Sequence, residues 1–218
     1  MGGCQMTALF QTYGAMLSKA VVIHMVYVVV SVACGFFLGL LLGILLSRVP
    51  RWSGVILPVL SIFQTIPGLV FIGVLFILWG NTASTVIVAL SVYAMFPVLK
   101  NTYTGILGVE PKYIEAAKGC GMSPLQTLLR VELPLAMPTI VAGLRMSAIY
   151  TVSWTVLAAM IGRGGLGTFV YQGVASNNNT LILLGAIPAA VLAIVFGAVI
   201  DLLQRKVTPR GLQKEVGK

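Results

Sequence analysis

The sequence predicts an all-α protein, a polytopic bundle of about five transmembrane helices formed by a single domain, residues 1–218. Its mean hydropathy is +1.01, and 58% of its residues are hydrophobic while only 9% are charged; soluble domains carry about 25% charged residues. Because strands of a membrane barrel alternate apolar and polar residues, continuously apolar stretches indicate helices. Roughly 20 apolar residues span a bilayer, and the candidate stretches are 21–46, 56–78, 85–99, 140–161 and 181–203.

Three of these stretches carry small residues at every fourth position, which places them along one face of a helix. In a membrane, helices associate through close backbone approach, and small residues at the contact allow it. The sequence therefore predicts a tightly packed bundle. The stripes are Ser31, Gly35, Gly39, Gly43 and Ser47 in the first stretch, Gly143, Ser147, Thr151, Thr155 and Ala159 in the fourth, and Gly185, Ala189, Ala193 and Gly197 in the last.

The second stretch contains an interruption, Gln64-Thr65-Ile66-Pro67. Pro67 removes a backbone donor and is predicted to bend the helix. Gln64 is costly in hydrocarbon unless its side chain faces protein or water. We therefore expect Gln64 to face a cavity, with an interhelical hydrogen bond as the alternative.

The third stretch is short for a span and is predicted to continue as helix through Asn101 towards Ile106. In the fourth stretch, Tyr150 and Trp154 lie one turn apart beside the stripe that contains Thr151. Trp154 is too deep for the aromatic belt at the membrane surface. Packing against neighbouring helices is the favoured interpretation of these residues, and a place along a path through the bundle is the alternative.

A polar loop between the third and fourth stretches carries three of the five carboxylates of the protein: Glu110, Glu115 and Glu132. A membrane protein that groups its acidic residues in one aqueous segment is predicted to present them to a partner. Ala116 and Ala117 would give this segment a smooth surface that lets the partner approach closely. Glu115 would offer a charge to a cationic group or to a helix-terminal donor of the partner.

The same loop carries start and stop signals for two short helices. A proline suits the first turn of a helix, so residues 111–118 are predicted to be helical, with Gly121 ending the element. Ser123 and Pro124 would cap and start a second helix that runs to about residue 130. Pro134 and Pro138 are expected to break the chain before the fourth span.

The net charge of +9 is interpreted through topology, because Lys and Arg accumulate on the cytoplasmic side of a membrane. With the acidic loop inside, the N-terminus is outside and the C-terminus inside, and only Lys19 and Arg163 remain outside. The inner surface is expected to contact anionic lipid, and no base-reading motif supports nucleic-acid binding. The inner cations are Arg48, Arg51, Lys100, Lys112, Lys118, Arg130, Arg145, Arg205, Lys206, Arg210, Lys214 and Lys218.

Several kinds of chemistry are absent from the sequence. It has no GxxxxGK[ST] phosphate loop, so the chain cannot hydrolyse ATP itself. No Ser/His/Asp, HExxH or paired-carboxylate arrangement predicts an enzyme, and no cofactor is implied. Cys4, Cys34 and Cys120 form no close pair, which argues against a disulfide or a metal site. His24 lies near the outer end of the first stretch and is expected at the membrane surface.

The acidic loop resembles the EAA signature of permeases of ATP-binding-cassette (ABC) importers: Glu-Ala-Ala, three residues, Gly, nine residues, Ile-x-Leu-Pro. Here Glu115-Ala116-Ala117 is followed by Gly121 and then by 131–134, which read Val-Glu-Leu-Pro. The resemblance implies a type I ABC importer permease fold in a bacterial cell membrane, with a cytoplasmic coupling loop at about 108–138 that docks on an ATPase. The residues to which it gives this coupling role are Glu115, Ala116, Ala117, Gly121, Leu133 and Pro134.

Residues 64–67, 97–106 and 161–167 are similar to segments of the permeases of osmoprotectant importers, which move glycine betaine, carnitine, choline and similar quaternary amines. The resemblance implies that substrate class, with methionine or another small solute as the alternative. It also implies a second permease subunit, identical or paralogous, two ATPase subunits and an extracytoplasmic substrate-binding protein. A quaternary ammonium donates no hydrogen bond, so aromatic faces are the expected contact. The residues expected along the path are Gln64, Tyr150, Thr151 and Trp154.

Overall fold

The computed structural model describes the backbone of residues 2–207 and the side chains of residues 12–49 and 51–206. The side chain of Cys4 and the tail cations Arg210, Lys214 and Lys218 lie outside the described residues. A π-helical turn, Leu128–Glu132, precedes α7, and a 3₁₀ segment, Val156–Ile161, follows it. The α-helices are α1 (Gly2–Arg48), α2 (Pro50–Phe63), α3 (Gly68–Trp79), α4 (Ala83–Leu107), α5 (Pro111–Gly119), α6 (Pro124–Thr127), α7 (Leu133–Thr155), α8 (Gly167–Ala175) and α9 (Asn179–Val207).

Four of the described helical segments are long and apolar enough to cross a membrane: Thr12–Arg48, Ala83–Leu107, Pro124–Ile161 and Asn179–Lys206. The pair α2 and α3 makes a fifth span if the two helices are counted together. The predicted all-α bundle of about five spans is therefore confirmed. The third predicted stretch does continue as helix, since α4 ends at Leu107.

Helix α4 lies at the centre of the bundle, packed against α1 on one side and α7 on the other. The small residues of α1 make the first contact. A Cβ atom added to Gly35, Gly39 or Gly43 would lie 2.7, 2.6 and 2.6 Å from the nearest atom of α4. From the other side, the Ser147 hydroxyl of α7 donates a hydrogen bond to the carbonyl of Ala94 at 2.7 Å. The predicted stripes are thus the contact surfaces that bring three backbones together.

Helix α9 packs against α7 and the segment around α8. Near its start, a Cβ atom on Gly185 would lie 2.7 Å from the carbonyl oxygen of Leu166. Near its end, Asp201 Oδ1 lies 2.7 Å from Arg145 Nε of α7. Close backbone packing at one end and an ion pair at the other therefore hold α9 to the bundle.

The second predicted span is broken rather than merely bent. Helix α2 ends at Phe63, α3 begins at Gly68, and the two helices are bent by 88°. Pro67 is the N-cap of α3, where its missing N–H costs no helical hydrogen bond. The expected effect of Pro67 is confirmed, and the four residues 64–67 lie between the two helices.

The expectation that Pro134 and Pro138 break the chain is wrong. A helical path runs from Pro124 to Ile161, and Pro134 lies in the first turn of α7, directly after the π turn. Pro134 has no N–H to donate, and the chain widens into the π turn directly before it, where the Leu133 N–H bonds to the carbonyl of Leu128. Pro138 lies inside α7; membrane helices tolerate such prolines where neighbouring helices satisfy the freed backbone groups. Residues 133–138 of the expected coupling loop therefore belong to α7.

The expected surface position of His24 is also wrong. Its side chain is fully buried, and Nε2 lies 3.1 Å from the carbonyl oxygen of Val152 in α7. Helix α1 begins about twenty residues before the apolar stretch that marked the first span. His24 therefore lies midway along α1 and not near its end, and its side chain faces α7.

Candidate functional site

The first candidate site forms around the break between α2 and α3. Tyr93 of α4 is buried, and its hydroxyl donates a hydrogen bond of 2.6 Å to the carbonyl of Ile66. This carbonyl lies in the four-residue break, so the bond satisfies a polar group outside both helices. Gln64 directly follows α2 and is exposed. The central helix of the bundle thus holds the break in place.

Aromatic rings converge on the same point. The rings of Tyr93 and Trp154 stack with centroids 4.8 Å apart and planes 14° from parallel. Phe71 of α3 meets the Tyr93 ring edge-on at 5.6 Å, and Phe63 of α2 meets Phe71 in the same way at 5.4 Å. Edge-on and stacked pairs of this kind stabilise by about 0.5–1.5 kcal/mol each beyond burial. The cluster joins α2, α3, α4 and α7.

A cleft of about 380 Å³ opens beside this cluster. It brings together all four residues expected along a path: Gln64, Tyr150, Thr151 and Trp154. The hydroxyl of buried Thr151 is already used, because it donates to the carbonyl of Ser147 in its own helix at 2.7 Å. Gln64 and the aromatic side chains are therefore the groups available to a ligand, and no lining residue carries a full charge.

Two further residues line the cleft, Tyr93 and Pro97 of α4. The sequence did not single out Tyr93, because it lies in an apolar stretch with no polar neighbour at helical spacing. Its position depends on contacts with Ile66 and Trp154, which are 27 and 61 residues away in the chain. No local pattern could have found it.

The second candidate site is the segment between α4 and α7, residues 108–132, which we call the coupling segment. Helix α5 ends in the predicted way: Gly121 adopts a φ of +75°, and the Met122 N–H bonds back to the carbonyl of Ala117 at 3.1 Å. Helix α6 begins with a full capping box, in which Ser123 and Gln126 each accept the backbone N–H of the other. The first predicted short helix with its cap and the predicted start of the second are thus present, but the second helix continues into α7 instead of ending near residue 130.

The exposed face of α5 differs from the expected smooth alanine surface. Glu115 and Ala116 are exposed, whereas Ala117 is only 4% exposed and faces the rest of the chain. Successive residues of a helix point about 100° apart, and on α5 this step turns Ala117 away from solvent while Glu115 and Ala116 stay exposed. The surface open to a partner is therefore formed around Glu115 and Ala116.

The three carboxylates of the coupling segment are not presented together. Glu110 Oε2 lies 2.6 Å from Lys112 Nζ, and this hydrogen bond raises the pKa of Lys112 above its ordinary value. Glu132 is 3% exposed and forms an ion pair with Arg48, the last residue of α1. Within the described part of the chain, Glu115 is the exposed carboxylate of this segment without an ion-pair partner. The expectation of one grouped acidic surface is corrected to one exposed carboxylate without an ion-pair partner among the described residues, Glu115.

Leu133 and Pro134 lie apart from this surface. Both are half-buried in the first turn of α7, and Leu133 packs against the buried cluster formed by Ile106, Ala136 and Ile140. The structure therefore separates the residues of the EAA resemblance: Glu115 and Ala116 are exposed on α5, whereas Ala117 is buried and Leu133 and Pro134 are anchored in α7.

Comparison with solved structures identifies the fold. A chain of the MetNI methionine ABC transporter, solved in inward-facing conformations, superposes with a TM-score of 0.81 at 23% identity, covering 96% of this chain and 100% of that chain. A chain of an amino acid ABC transporter solved with histidines gives a TM-score of 0.70 at 18% identity, covering 90% and 96% of the two chains. The helical arrangement is that of the type I ABC importer permeases.

Sequence comparison gives the family. The choline transport system permease protein OpuBB of Bacillus subtilis (strain 168) is 39% identical over 94% of both chains. The glycine betaine/carnitine/choline transport system permease protein OpuCB of the same organism is 39% identical over 97% of this chain and 99% of its own. Residues 35–212 match the family described as the binding-protein-dependent transport system inner membrane component. The chain belongs to this family of multi-pass ABC importer permeases.

Proposed function

We propose that this chain, as a single permease domain of residues 1–218, is the membrane subunit of an ATP-driven importer of small quaternary amines such as glycine betaine, carnitine or choline. The observation that carries the substrate class is its 39% identity, over nearly the full length of both chains, to permeases that are named for these amines. The likeness to the methionine transporter is one of fold, so methionine serves as the competing substrate in the test.

The chemistry of the cleft fits such an amine. A quaternary ammonium offers no hydrogen-bond donor and binds to the faces of aromatic rings, with Trp the strongest. Trp154, Tyr150 and Tyr93 line the cleft, and the lining carries no full charge that would repel a cation. The amide of Gln64 can donate to the carboxylate of a betaine or the hydroxyl of choline. These residues form the path for the substrate.

Transport is driven through the coupling segment. Glu115 and Ala116 form the surface that docks on a cytosolic ATPase, and hydrolysis takes place on two such ATPase subunits. A second permease subunit, identical or paralogous, completes the path, and an extracytoplasmic binding protein delivers the amine. The N-terminus is then outside and the C-terminus inside. ATP shifts the permease pair between inward and outward states because the ATPases contact the two states differently.

The test is ATP-dependent uptake by the whole complex in proteoliposomes. The complex is purified through this chain, its subunits are identified, and labelled choline, carnitine, glycine betaine and methionine are offered separately. ATP-dependent uptake of at least one quaternary amine, with an ATPase in the complex, is the expected result. Uptake of methionine alone would overturn the substrate class. Uptake without nucleotide, or a purified chain with no ATPase bound to it, would overturn the proposal that this chain is a subunit of an ATP-driven importer.

A further inference from the structure

An ion pair between a buried carboxylate and a partly exposed arginine joins the coupling segment to the end of α1. Glu132 is 3% exposed, and both of its carboxylate oxygens contact Arg48: Nη1 donates to Oε1 at 3.2 Å, and Nη2 contacts Oε2. This is the two-pronged geometry that arginine forms with carboxylates. A buried carboxylate is costly unless it is paired, so the position of Glu132 depends on Arg48.

The ion pair lies at an irregular turn of the helix. Leu128–Glu132 is a π turn, in which the N–H of Leu133 bonds to the carbonyl of Leu128 instead of to that of Leu129. The next residue, Pro134, has no N–H and cannot donate to the carbonyl of Arg130. Widened turns of this kind are rare and occur mostly at functional sites. Without the contact between Glu132 and Arg48, a movement of α5 and α6 would bend the chain at this turn and would not reach the other helices.

Arg48 connects onward to the cleft. Only Val49 separates α1 from α2, whose 14 residues extend for about 21 Å at roughly 1.5 Å per residue. The far end of α2 carries Gln64, which lines the cleft. Among the described side chains of α2 only Ser53 is buried, and its hydroxyl lies 3.0 Å from that of Tyr103 in α4. Helix α2 is therefore held within the chain at both ends: near Arg48 through Ser53, and at Phe63, whose ring meets those of Phe71 and Phe96.

We propose that Glu132 and Arg48 are positioning residues that transmit movement of the coupling segment into α1 and α2, and so to the break that borders the cleft. In the EAA signature the position of Glu132 is variable, so the resemblance gives it no role. This role depends on the proposed function, because it requires an ATPase that moves the coupling segment. Its distinctive consequence is a change in the amount of amine transported per ATP hydrolysed.

The experiment measures that ratio in proteoliposomes containing the whole complex, with the labelled amine that the unchanged complex transports. Glu132→Gln keeps the shape of the side chain and removes its charge. Arg48→Lys keeps the positive charge and removes the two-pronged contact. The matched control is Arg145→Gln, which removes the cation of an ion pair between α7 and α9, with Asp201, away from the coupling segment. Assembly and ATP hydrolysis are measured on the same preparations.

We expect Glu132→Gln to lower the transport per ATP roughly 2- to 30-fold, the range seen for residues that couple distant sites. Arg48→Lys should lower it less, and Arg145→Gln should stay within about twofold of the unchanged complex, as for exposed ion pairs. An unchanged ratio in both Glu132→Gln and Arg48→Lys, or an equal fall in Arg145→Gln, would overturn the role of this pair.

Uptake by the complex without substitutions shows whether a negative result concerns only this inference or also the proposed function. If it shows ATP-dependent amine uptake and the variants keep its ratio, only the positioning role fails. If it transports methionine alone, the substrate class fails and the ratio is measured with methionine. If it shows no ATP-dependent uptake of any probe, both proposals fail together.

Discussion

Gly68 packs directly against the indole ring of Trp154, so closely that a Cβ atom on residue 68 would overlap the six-membered ring. Gly68 is the first residue of α3, and Trp154 lies in the last turn of α7. The contact ties the broken span to a wall of the cleft, so the side chain at position 68 controls where the indole ring lies.

Gly68→Ala is therefore expected to displace Trp154 and weaken amine uptake. Overpacking of this kind costs about 1–3 kcal/mol, and about 1.4 kcal/mol corresponds to a tenfold rise in the substrate concentration for half-maximal uptake. Gly73→Ala is the matched control, because it lies in the same helix and a Cβ atom there meets nothing within 4 Å. Equal uptake by the two variants would show that the Gly68–Trp154 contact does not shape the path.

Replacing Trp154 by Leu removes the largest aromatic face of the cleft. A cation–π contact contributes about 0.5–2 kcal/mol, so we expect the concentration of amine for half-maximal uptake to rise roughly 2- to 30-fold. Trp79→Leu serves as control, since Trp79 is exposed at the end of α3 and does not line the cleft. Unchanged uptake by both Trp154→Leu and Tyr150→Leu, at normal expression, would remove these two residues from the path.

Reversing the charge of Glu115, the exposed carboxylate of the coupling segment without an ion-pair partner in the described part of the chain, tests the docking surface. Glu115→Lys is expected to abolish ATP-driven uptake while the chain remains inserted, because a lysine would repel a cationic partner group. The readouts are capture of the ATPase by the purified permease and uptake in proteoliposomes. Thr104→Lys adds a lysine at an exposed position near the end of α4 that adjoins this segment and should leave both readouts intact. Full uptake by Glu115→Lys with the ATPase bound would contradict the docking role.

Leucine substitutions at the neighbouring Ala116 and Ala117 of α5 are expected to affect different properties, ATPase capture and stability. Ala117 is 4% exposed, so Ala117→Leu should overpack the contact below it and cost about 1–3 kcal/mol of stability. Ala116→Leu lies on the exposed face and should change stability by less than about 0.5 kcal/mol while weakening capture of the ATPase. Thermal unfolding in detergent and ATPase capture measure the two effects. A stable Ala117→Leu variant that no longer captures the ATPase would place Ala117 on the docking surface instead.

The elements predicted most successfully were those with local causes. Continuous apolar runs predicted the spans, and a glycine every fourth residue predicted the face of α1 that meets α4, because both patterns follow from helix geometry and from packing in lipid. The short helices of the coupling segment followed from their own caps, including Ser123 and Gly121. Each of these signals lies within a few residues of the structure that it specifies.

The errors have a common physical origin. The sequence predicts His24 at the membrane surface and Glu132 in a polar loop, but both are buried, because a partner on another helix accepts a hydrogen bond from His24 or pairs with Glu132. Pro134 and Pro138 are helix breakers by their chemistry, yet the chain continues as helix through both, with a π turn directly before Pro134. In each case the surroundings of the residue in the fold outweighed a local preference.

The chain's own residues determined a membrane bundle with a polar segment between its third and fourth spans, because hydropathy and capping depend on nearby residues alone. Tertiary structure decided which polar groups are exposed and which rings are in contact. Tyr93 contacts Ile66 and Trp154, and Glu132 pairs with Arg48. These partners are far apart in the chain, so no helical or strand periodicity predicts the contacts. Helix α4 packs against both α1 and α7 and so brings these distant residues together. Because a buried polar group without a partner is costly, the hydrogen bond and the ion pair stabilise the buried positions of these residues.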